Sequence, residues 1–546
     1  MSLMSGLIAR MYRLPPRRNA VTVIRDLEVP ADDGIVLMTD RYAPRKRGTH
    51  PTLLIRLPYG RRNLAAMAEA YAERGYNTLM QACRGTGGSG GIFDPLVHER
   101  SDGLATLAWI REQPWFDGRL GLTGPSYMGF AQWAICDALP PGSAMSTKVT
   151  SAEFESVVFP GGSFHLGLWL SWMQTIEGLR NPGLRFVGDM MSGAIERATR
   201  KAANHLPLVD ADKVAMGREV PFWRDWIQKA VGNHEFWASM DHRKRLGAGT
   251  PPNHFVSGWQ DFMVDQLLRD FAALVEAGQR PYLTIGSWTH VDNELQAESM
   301  RQTLVWMDAH LLAKPGGLRK QPVRLHISGA DKWIESECYP PDGMSASSFR
   351  LHPESALDRG PPPDSTPSRF VYDPSKPTPS VGGAKFAFTG AGPQDTRSLE
   401  RRKDVLCFTS QPLDAPLTVV GSPTVTLFAR SSLQHADFFV SLNDVAPDGR
   451  SLNMTDAIRR IAPGTCPPDA EGIWRIELQL HAVGHQFDKG HRLRVLVASG
   501  AHPRFARNLG TGEQIATATA MRAATQEVFH DPGHPSAITL PIYRGL

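Results

Sequence analysis

A single serine stands on a sharp turn in the segment RLGLTGPSYMGF, residues 119–130. The apolar run before it predicts a strand, and AQWAICDAL behind it predicts a helix. Ser126 could simply cap that helix. On a tight strand–turn–helix elbow, however, a serine oxygen projects above the sheet edge towards backbone N–H groups, which suits a nucleophile. The spelling G-x-S-x-x-G departs from the commoner G-x-S-x-G, so the residues elsewhere in the chain must decide between these interpretations.

A serine nucleophile needs a base, and that base needs an acid to orient it. In α/β-hydrolase folds the acid follows the serine along the chain, just beyond a strand. The segment HFVSGWQDFMVDQ places Asp261 at that position. Asp261 could instead cap the helix that follows, and Asp265, one turn further on, is the competing candidate. The position directly after the strand favours Asp261.

The base is expected about one α/β unit after the acid, again in a loop behind a strand. Among the 18 histidines, His290 in LTIGSWTH has this position. Other histidines fall inside predicted strands or helices, or in the β-rich part of the chain. A loop histidine could equally bond a backbone carbonyl, but the order strand, acid, helix, strand, histidine favours His290 as the general base.

Acyl transfer also needs donors for the oxyanion that develops on the substrate. The backbone N–H of Tyr127 follows the serine and is one donor by construction. A second donor is expected from the loop after an early strand, where TLLIRLPYG supplies the hydroxyl of Tyr59. The residues alone leave open that Tyr59 is a packed loop aromatic, in which case the N–H of Gly60 is the nearest alternative.

Composition narrows the class of protein. The chain has 546 residues, of which 42% are hydrophobic and 21% are charged, and its net charge is +4. That balance predicts a globular protein of two to four domains and gives no basis for nucleic-acid binding. The five cysteines are widely spaced, which favours a reducing compartment over a disulfide framework or a zinc site. No signal peptide or membrane span is predicted, so the sequence indicates a cytoplasmic protein.

The predicted secondary structure that positions these residues changes along the chain. Strands and helices alternate over residues 20–150 and again over 246–320, which predicts a parallel sheet with helical crossovers. Residues 151–245 are helical and rich in Trp, Met and Phe, which favours a cap over an apolar pocket. Residues 321–546 consist of short strands separated by turns, which predicts an all-β sandwich, a jelly roll.

Several motifs together resemble the cocaine esterase (CocE/NonD) family of hydrolases, which is related to X-Pro dipeptidyl-peptidases and α-amino acid ester hydrolases. The resemblance covers essentially the whole chain and rests on these motifs: RLPY (56–59), RG (84–85), QPWFDGRLGLTGPSYMG (113–129), GWQD (258–261), WTH (288–290), DFFVSLNDVAPDG (437–449) and FARNLGTGE (505–513). The chain departs from the family pattern at Ala82, where an acid is common, and in SGG at Gly90.

The resemblance implies an α/β-hydrolase core, a helical cap and a C-terminal jelly roll. It implies that Ser126 is the nucleophile, Asp261 the acid and His290 the base. It also assigns the Tyr59 hydroxyl to the oxyanion hole beside the Tyr127 N–H.

The expected function is therefore cleavage of carboxylic esters or amides through an acyl-enzyme, with no metal or organic cofactor. The expected partner is a small-molecule ester or amide rather than nucleic acid or membrane, and a homo-oligomer is compatible with the sequence. One alternative is an X-Pro dipeptidyl-peptidase or α-amino acid ester hydrolase, with Asp210, Asp212 and Glu219 as candidates for binding a substrate amine. A binding module on an inactive hydrolase fold is the non-enzymatic alternative.

Overall fold

The computed structural model describes residues 3–46, 48–180, 184–229 and 232–546. Its helices are α1 (Leu3–Met11), α2 (Ala65–Ala72), α3 (Glu99–Arg111), α4 (Tyr127–Trp133), α5 (Glu155–Val158), α6 (Leu166–Arg180), α7 (Leu184–Met191), α8 (Ala194–Ala203), α9 (Ala211–Met216), α10 (Pro221–Gln228), α11 (His234–Ala238), α12 (Val264–Glu276), α13 (Asn293–Leu311) and α14 (Arg397–Glu400).

The strands fall into two sheets. The first sheet contains β1 (Val21–Pro30), β2 (Val36–Pro44), β3 (Thr52–Leu57), β4 (Asn77–Ala82), β5 (Leu120–Pro125), β6 (Ala144–Lys148), β7 (Asn253–Gln260), β8 (Tyr282–Thr289), β9 (Val323–Ile327) and β10 (Lys332–Ser336). The second contains β11 (Met344–His352), β12 (Ala356–Asp358), β13 (Ser368–Tyr372), β14 (Val405–Thr409), β15 (Leu417–Gly421), β16 (Thr424–Ser431), β17 (Ala436–Val445), β18 (Ser451–Ile461), β19 (Trp474–Gln479), β20 (Val483–Phe487), β21 (Arg492–Ala498), β22 (Ala524–Phe529) and β23 (Ala537–Tyr543).

The first sheet has the order β1-β2-β4-β3-β5-β6-β7-β8-β9-β10. Its strands from β4 to β9 in that order pair in parallel, and β1, β2 and β10 pair antiparallel at the two edges. Strands β3, β5 and β7 have mainly buried residues on both faces, as expected for a sheet covered by helices on each side. The carboxyl ends of β5, β7 and β8 therefore meet at one edge, where ligands bind in open α/β sheets.

Helices α5 to α11 are inserted between β6 and β7. Their aromatic side chains form one buried cluster with Tyr127 and Phe130 of helix α4 and with Phe262 of the turn between β7 and α12. This cluster places a layer of Trp and Phe side chains above the carboxyl ends of the strands. The predicted α/β-hydrolase core, the helical insertion and the β-rich C-terminal unit are confirmed.

The predicted boundary at residue 321 differs from the structure. Strands β9 and β10 were expected to open the β-sandwich, but they extend the first sheet beyond β8. Strand β9 follows α13 and pairs in parallel with β8, so it completes one more strand–helix–strand unit. Its alternating burial, with Val323, Leu325 and Ile327 inside, resembles that of the sandwich strands, which is why the pattern alone misplaced it.

Candidate active site

The turn after β5 has the geometry of a nucleophile elbow. Ser126 has a φ of 59° and a ψ of −123°, a left-handed conformation that residues other than glycine rarely adopt. Its N–H donates to the carbonyl of Lys148 at 2.9 Å, and the hydroxyl of Thr150 donates to the Ser126 carbonyl at 2.8 Å. Strand β6 and the residues after it thus hold the strained turn in place.

The two glycines of G-x-S-x-x-G are explained by close packing. A Cβ at Gly124, whose φ is 139°, would lie 2.5 Å from the Cβ of Met128. A Cβ at Gly129 would lie 2.6 Å from the side chain of Thr150. Both distances are well below van der Waals contact. Glycine is therefore required at both positions because helix α4 packs closely against the turn and the residues after β6.

Strands β7 and β8 bring Asp261 and His290 to the serine. His290 Nε2 lies 3.1 Å from the Oγ of Ser126, and His290 Nδ1 lies 2.7 Å from Oδ1 of Asp261. The hydroxyl of Ser257 donates to the other oxygen of Asp261 at 3.0 Å, and the Met263 N–H donates to Oδ1 at 3.3 Å. The acid is therefore buried and held by several donors, and the histidine is fixed between the two oxygens.

Asp265, the competing acid, lies elsewhere. Its carboxylate contacts the Nδ1 of His481 and accepts the N–H of Ala482 at 2.9 Å. Both partners belong to the segment before β20 in the second sheet. Asp265 therefore fastens helix α12 to the β-sandwich instead of reaching His290.

The two predicted oxyanion donors face the same serine. The Tyr127 N–H is at the first position of helix α4, where a backbone donor has no acceptor within its helix. The Tyr59 hydroxyl accepts the indole N–H of Trp172 at 3.3 Å. Burial raises the pKa of Tyr59 to about 12, a shift that its neighbours Trp172 and Ser126 partly offset. The phenol therefore keeps the proton that it would donate.

Two apolar cavities meet at Ser126. The smaller of the two, the enclosed cavity, is the less open one and has a volume of about 20 Å³. Apart from Ser126 and His290, it is lined by Leu96, Tyr127, Phe154, Leu168, Trp169, Trp172, Trp226, Phe262, Met263 and Phe386. The other, of about 210 Å³, is more open and extends past Tyr59, Met128 and Leu179. No carboxylate lines either cavity within the described part of the chain.

Aromatic rings from two parts of the chain enclose His290. The ring of Phe262 stacks on the imidazole with centroids 4.4 Å apart, and Phe386 packs edge-on at 5.8 Å. Phe386 precedes β14 and so comes from the C-terminal part of the chain. Ser257, Trp172 and Phe386 were not predicted from the sequence. Ser257 alone carried a signal, since it stands on β7, the strand that Asp261 directly follows, four residues before Asp261.

The positions that depart from the family pattern lie outside these cavities. The Ser89 hydroxyl donates to the carbonyl of Ala82 at 2.9 Å and accepts the N–H of Met38 at 2.9 Å. The Gly90 carbonyl accepts the N–H of Gly85 at 2.8 Å. The loop is therefore closed by its own hydrogen bonds and tied to β2, and neither Ala82 nor Gly90 lines a cavity beside Ser126.

The amine-binding candidates are occupied by cations. Arg224 pairs with Asp210 at 2.9 Å and with Asp212 at 3.0 Å, and Lys213 pairs with Glu219 at 3.0 Å. None of the three carboxylates lines the cavities at Ser126. Among the described residues, no group of three or more His, Cys, Asp or Glu side chains could hold a metal ion, and no helix is long and apolar enough to cross a membrane.

Comparisons with known proteins agree with the fold. Residues 33–292 match the X-Pro dipeptidyl-peptidase (S15) family, and residues 317–539 match the X-Pro dipeptidyl-peptidase C-terminal non-catalytic domain. Two solved structures superpose with a TM-score of 0.80 each: an aminopeptidase from a marine-sediment Thaumarchaeota archaeon, at 22% identity over 97% of this chain and 99% of that one, and an α-amino acid ester hydrolase, at 23% identity over 96% and 97%. At these identities the superpositions describe the fold.

Two proteins are similar to this chain in sequence over nearly its full length. A putative serine esterase of Mycobacterium bovis is 23% identical over 99% of this chain and 100% of its own length. The cocaine esterase of Rhodococcus sp. (strain MB1 Bresler) is 30% identical over 96% of this chain and 99% of its own length. With both S15-type regions present and this identity over nearly the full length, the chain belongs to the cocaine esterase (CocE/NonD) family of serine hydrolases, which cleave ester or amide bonds.

Proposed function

We propose that the protein is a carboxylic ester hydrolase that works through an acyl-enzyme on Ser126. One observation carries the proposal: His290 bridges the Ser126 hydroxyl, at 3.1 Å, and the Asp261 carboxylate, at 2.7 Å. That arrangement provides a nucleophile, a general base and an orienting acid in one line. Membership of a hydrolase family supports an enzyme rather than a binding module.

In the proposed reaction, His290 Nε2 takes the proton of Ser126 as Oγ attacks the substrate carbonyl carbon. Asp261 holds the imidazole by its Nδ1–H and stabilises the imidazolium. The Tyr127 N–H and the Tyr59 hydroxyl donate to the oxyanion of the tetrahedral intermediate. His290 then protonates the leaving alcohol. A water molecule deprotonated by His290 attacks the acyl-enzyme, and the carboxylic acid leaves as Ser126 regains its proton.

The two cavities provide separate places for the acyl group and the alcohol group of an ester substrate. We assign the acyl group to the enclosed cavity between the cap and Phe262, and the alcohol to the more open cavity, because the alcohol must leave and water must enter before deacylation. The apolar walls favour an uncharged acyl group. A substrate ammonium would be buried there without a carboxylate, which is costly.

The family also contains peptidases, so an X-Pro dipeptidyl-peptidase or α-amino acid ester hydrolase is the second candidate. The matched family regions favour it. The pairing of Asp210, Asp212 and Glu219 with Lys213 and Arg224 speaks against it, since these carboxylates are already neutralised away from the cavities.

A hydrolysis panel tests the proposal. Purified enzyme is assayed on p-nitrophenyl esters of neutral acids, on the p-nitrophenyl ester of an α-amino acid, and on X-Pro-p-nitroanilides. We expect the neutral esters to have the highest kcat/KM and Ser126→Ala to abolish their turnover. A preference for X-Pro-p-nitroanilides would assign the protein to the peptidases, and activity retained by Ser126→Ala would refute the acyl-enzyme.

We further propose a division into a catalytic core, a cap over 151–245 and a C-terminal sandwich, with the last boundary moved beyond β10. We also propose a cytoplasmic location, supported by the five cysteines, all of which are free thiols.

A further inference from the structure

Behind the oxyanion donor lies a buried polar network that the proposed mechanism does not use. The Tyr127 hydroxyl donates to Oε1 of Glu99 at 2.8 Å and accepts the N–H of Leu96 at 2.9 Å. Oε2 of Glu99 pairs with Nη2 of Arg56 at 2.9 Å, and Nη1 of Arg56 donates to the Glu99 carbonyl at 2.7 Å. Arg56, Glu99 and Tyr127 are each at most 3% exposed.

Arg56, at the end of the network away from Tyr127, is also held in place. Arg56 on β3 also donates through Nε to the side chain of Gln81 on β4 at 2.9 Å. Glu99 begins helix α3, which packs beside the elbow. The ion pair therefore joins two central strands and a helix to one phenol. Such a pair is costly to bury and is compensated only when its remaining donors and acceptors are satisfied, as they largely are here.

Leu96 connects the Tyr127 hydroxyl to the cavity beside Ser126. Its φ is 75°, a left-handed conformation that is strained for a residue other than glycine. Its N–H is held by the Tyr127 hydroxyl, and its side chain, 1% exposed, forms one wall of the enclosed cavity beside Ser126. The hydrogen bond thus holds a strained residue against the site assigned to the acyl group.

The ring of Tyr127 is placed by a second contact. It stacks on Trp172 with centroids 6.3 Å apart and planes within 15°, and the same indole donates to the Tyr59 hydroxyl at 3.3 Å. Burial, reinforced by the charge of Glu99, raises the pKa of Tyr127 well above its ordinary value. The phenol therefore remains a proton donor to Glu99 and an acceptor for Leu96.

We propose that Glu99 and the Tyr127 phenol set acyl-group selectivity: Glu99 is a positioning residue that, through the phenol, holds the Leu96 wall of the enclosed cavity in its strained conformation. This inference rests on the proposed ester hydrolysis and on the assignment of the acyl group to that cavity. With a free volume of about 20 Å³, a cavity held in this way favours short acyl groups. Once the phenol is removed, Leu96 relaxes to an unstrained φ and the cavity widens.

The test is Tyr127→Phe, which removes the hydroxyl and keeps the ring, the stacking and the peptide N–H. The matched control is Tyr42→Phe on β2, because Tyr42 is also fully buried and its hydroxyl has no hydrogen-bond partner among the described residues. Both variants are assayed on p-nitrophenyl acetate, butanoate and octanoate, and their melting temperatures are measured.

We expect the octanoate-to-acetate ratio of kcat/KM to rise about tenfold in Tyr127→Phe, the effect of one hydrogen bond to a charged group. The ratio should be unchanged in Tyr42→Phe. A ratio within twofold of wild type in Tyr127→Phe would overturn the inference, and a lowered melting temperature with that result would assign the phenol to stability alone.

A second variant separates this inference from the proposed function. Ser126→Ala must lose all three ester activities if the acyl-enzyme is correct. If it retains them, the proposed function fails. If Ser126→Ala is inactive while Tyr127→Phe keeps the wild-type ratio, the selectivity inference alone fails.

Discussion

Two histidine–aspartate pairs lie close together near the start of helix α12, and they differ in the third group that each pair contacts. Asp261 contacts Nδ1 of His290, whose Nε2 lies 3.1 Å from a serine hydroxyl. Asp265 contacts Nδ1 of His481, and its second oxygen accepts the backbone N–H of Ala482. The same pair of side chains thus faces a serine hydroxyl in one place and joins two sheets in the other. What differs is the third group: a nucleophile in the first pair, a backbone donor in the second.

The difference follows from where each carboxylate leaves its element. Asp261 stands directly after β7, at the sheet edge where β5 and β8 also end. Asp265 stands inside the first turn of α12, so its side chain points away from that edge towards the sandwich. Asp261 therefore faces His290 at the sheet edge, whereas Asp265, four residues later, faces the sandwich.

Removal of His290 should have the largest effect on activity. His290→Ala should lower kcat by about 10⁴-fold or more, as expected for a triad member, and Ser126→Ala should do the same. The double variant should be little worse than either single one, because the residues share one proton transfer. Steady-state kinetics on p-nitrophenyl butanoate measures the cycle. Losses that multiply in the double variant would mean that the two residues act independently.

The two acids can be compared directly by the same conservative change. Asp261→Asn should lower kcat by about 10⁴-fold, because the amide no longer stabilises the imidazolium or its tautomer. Asp265→Asn should stay within about threefold of wild type, because that side chain does not touch the reacting groups. Circular dichroism shows whether both variants are folded. The reverse ranking would make Asp265 the catalytic acid.

Removal of one oxyanion donor should have an intermediate effect. Tyr59→Phe keeps the ring and its packing but loses the hydroxyl beside Trp172 and Ser126. We expect kcat to fall by about 10²–10³-fold, with KM and the melting temperature little changed, since this donor acts mainly in the transition state. A kcat within a few-fold of wild type would leave Tyr59 as a packed aromatic and move the second donor to a backbone N–H such as that of Gly60.

The Asp265–His481 pair should make the free energy of unfolding depend on pH. Burial opposes the charged imidazole, but the carboxylate of Asp265 raises the pKa of His481 above its ordinary value. A raised folded-state pKa stabilises the protein below the unfolded value of about 6.5, and that stabilisation is lost as the pH rises through the folded value. Asp265→Asn should therefore lower the free energy of unfolding more at pH 5.5 than at pH 9. Urea denaturation measures the difference, and an equal loss at both pH values would show that the pair is uncharged.

The proximity of the three candidate residues could be predicted from the sequence because each of them stands at a strand end. Ser126, Asp261 and His290 follow β5, β7 and β8, and parallel strands bring their carboxyl ends to one edge. The local sequence pattern and the order of the elements along the chain are therefore sufficient to predict that these three side chains lie together. The structure brings all three together as predicted, while their catalytic roles remain the proposal that the variants test.

The walls of the site could not be predicted in this way. Phe386 reaches His290 from nearly one hundred residues further along the chain, and no periodicity marks such a contact. Glu99 belongs to an ordinary-looking amphipathic helix, and only burial beside Arg56 shows that its charge is used. Strand β9 has the same alternation as a sandwich strand, and only its pairing with β8 assigns it to the first sheet. Long-range packing decides each of these cases.

Chemical labelling can show directly whether Ser126 is the activated nucleophile. The wild-type protein and the variants His290→Ala, Asp261→Asn and Asp265→Asn are treated with a fluorophosphonate, and the modified residue is identified by peptide mass spectrometry. We expect rapid, single-site modification of Ser126 in the wild type and in Asp265→Asn, and strongly slowed modification in the other two variants. Modification of a different residue, or labelling of Ser126 at the wild-type rate without His290, would show that His290 does not activate Ser126.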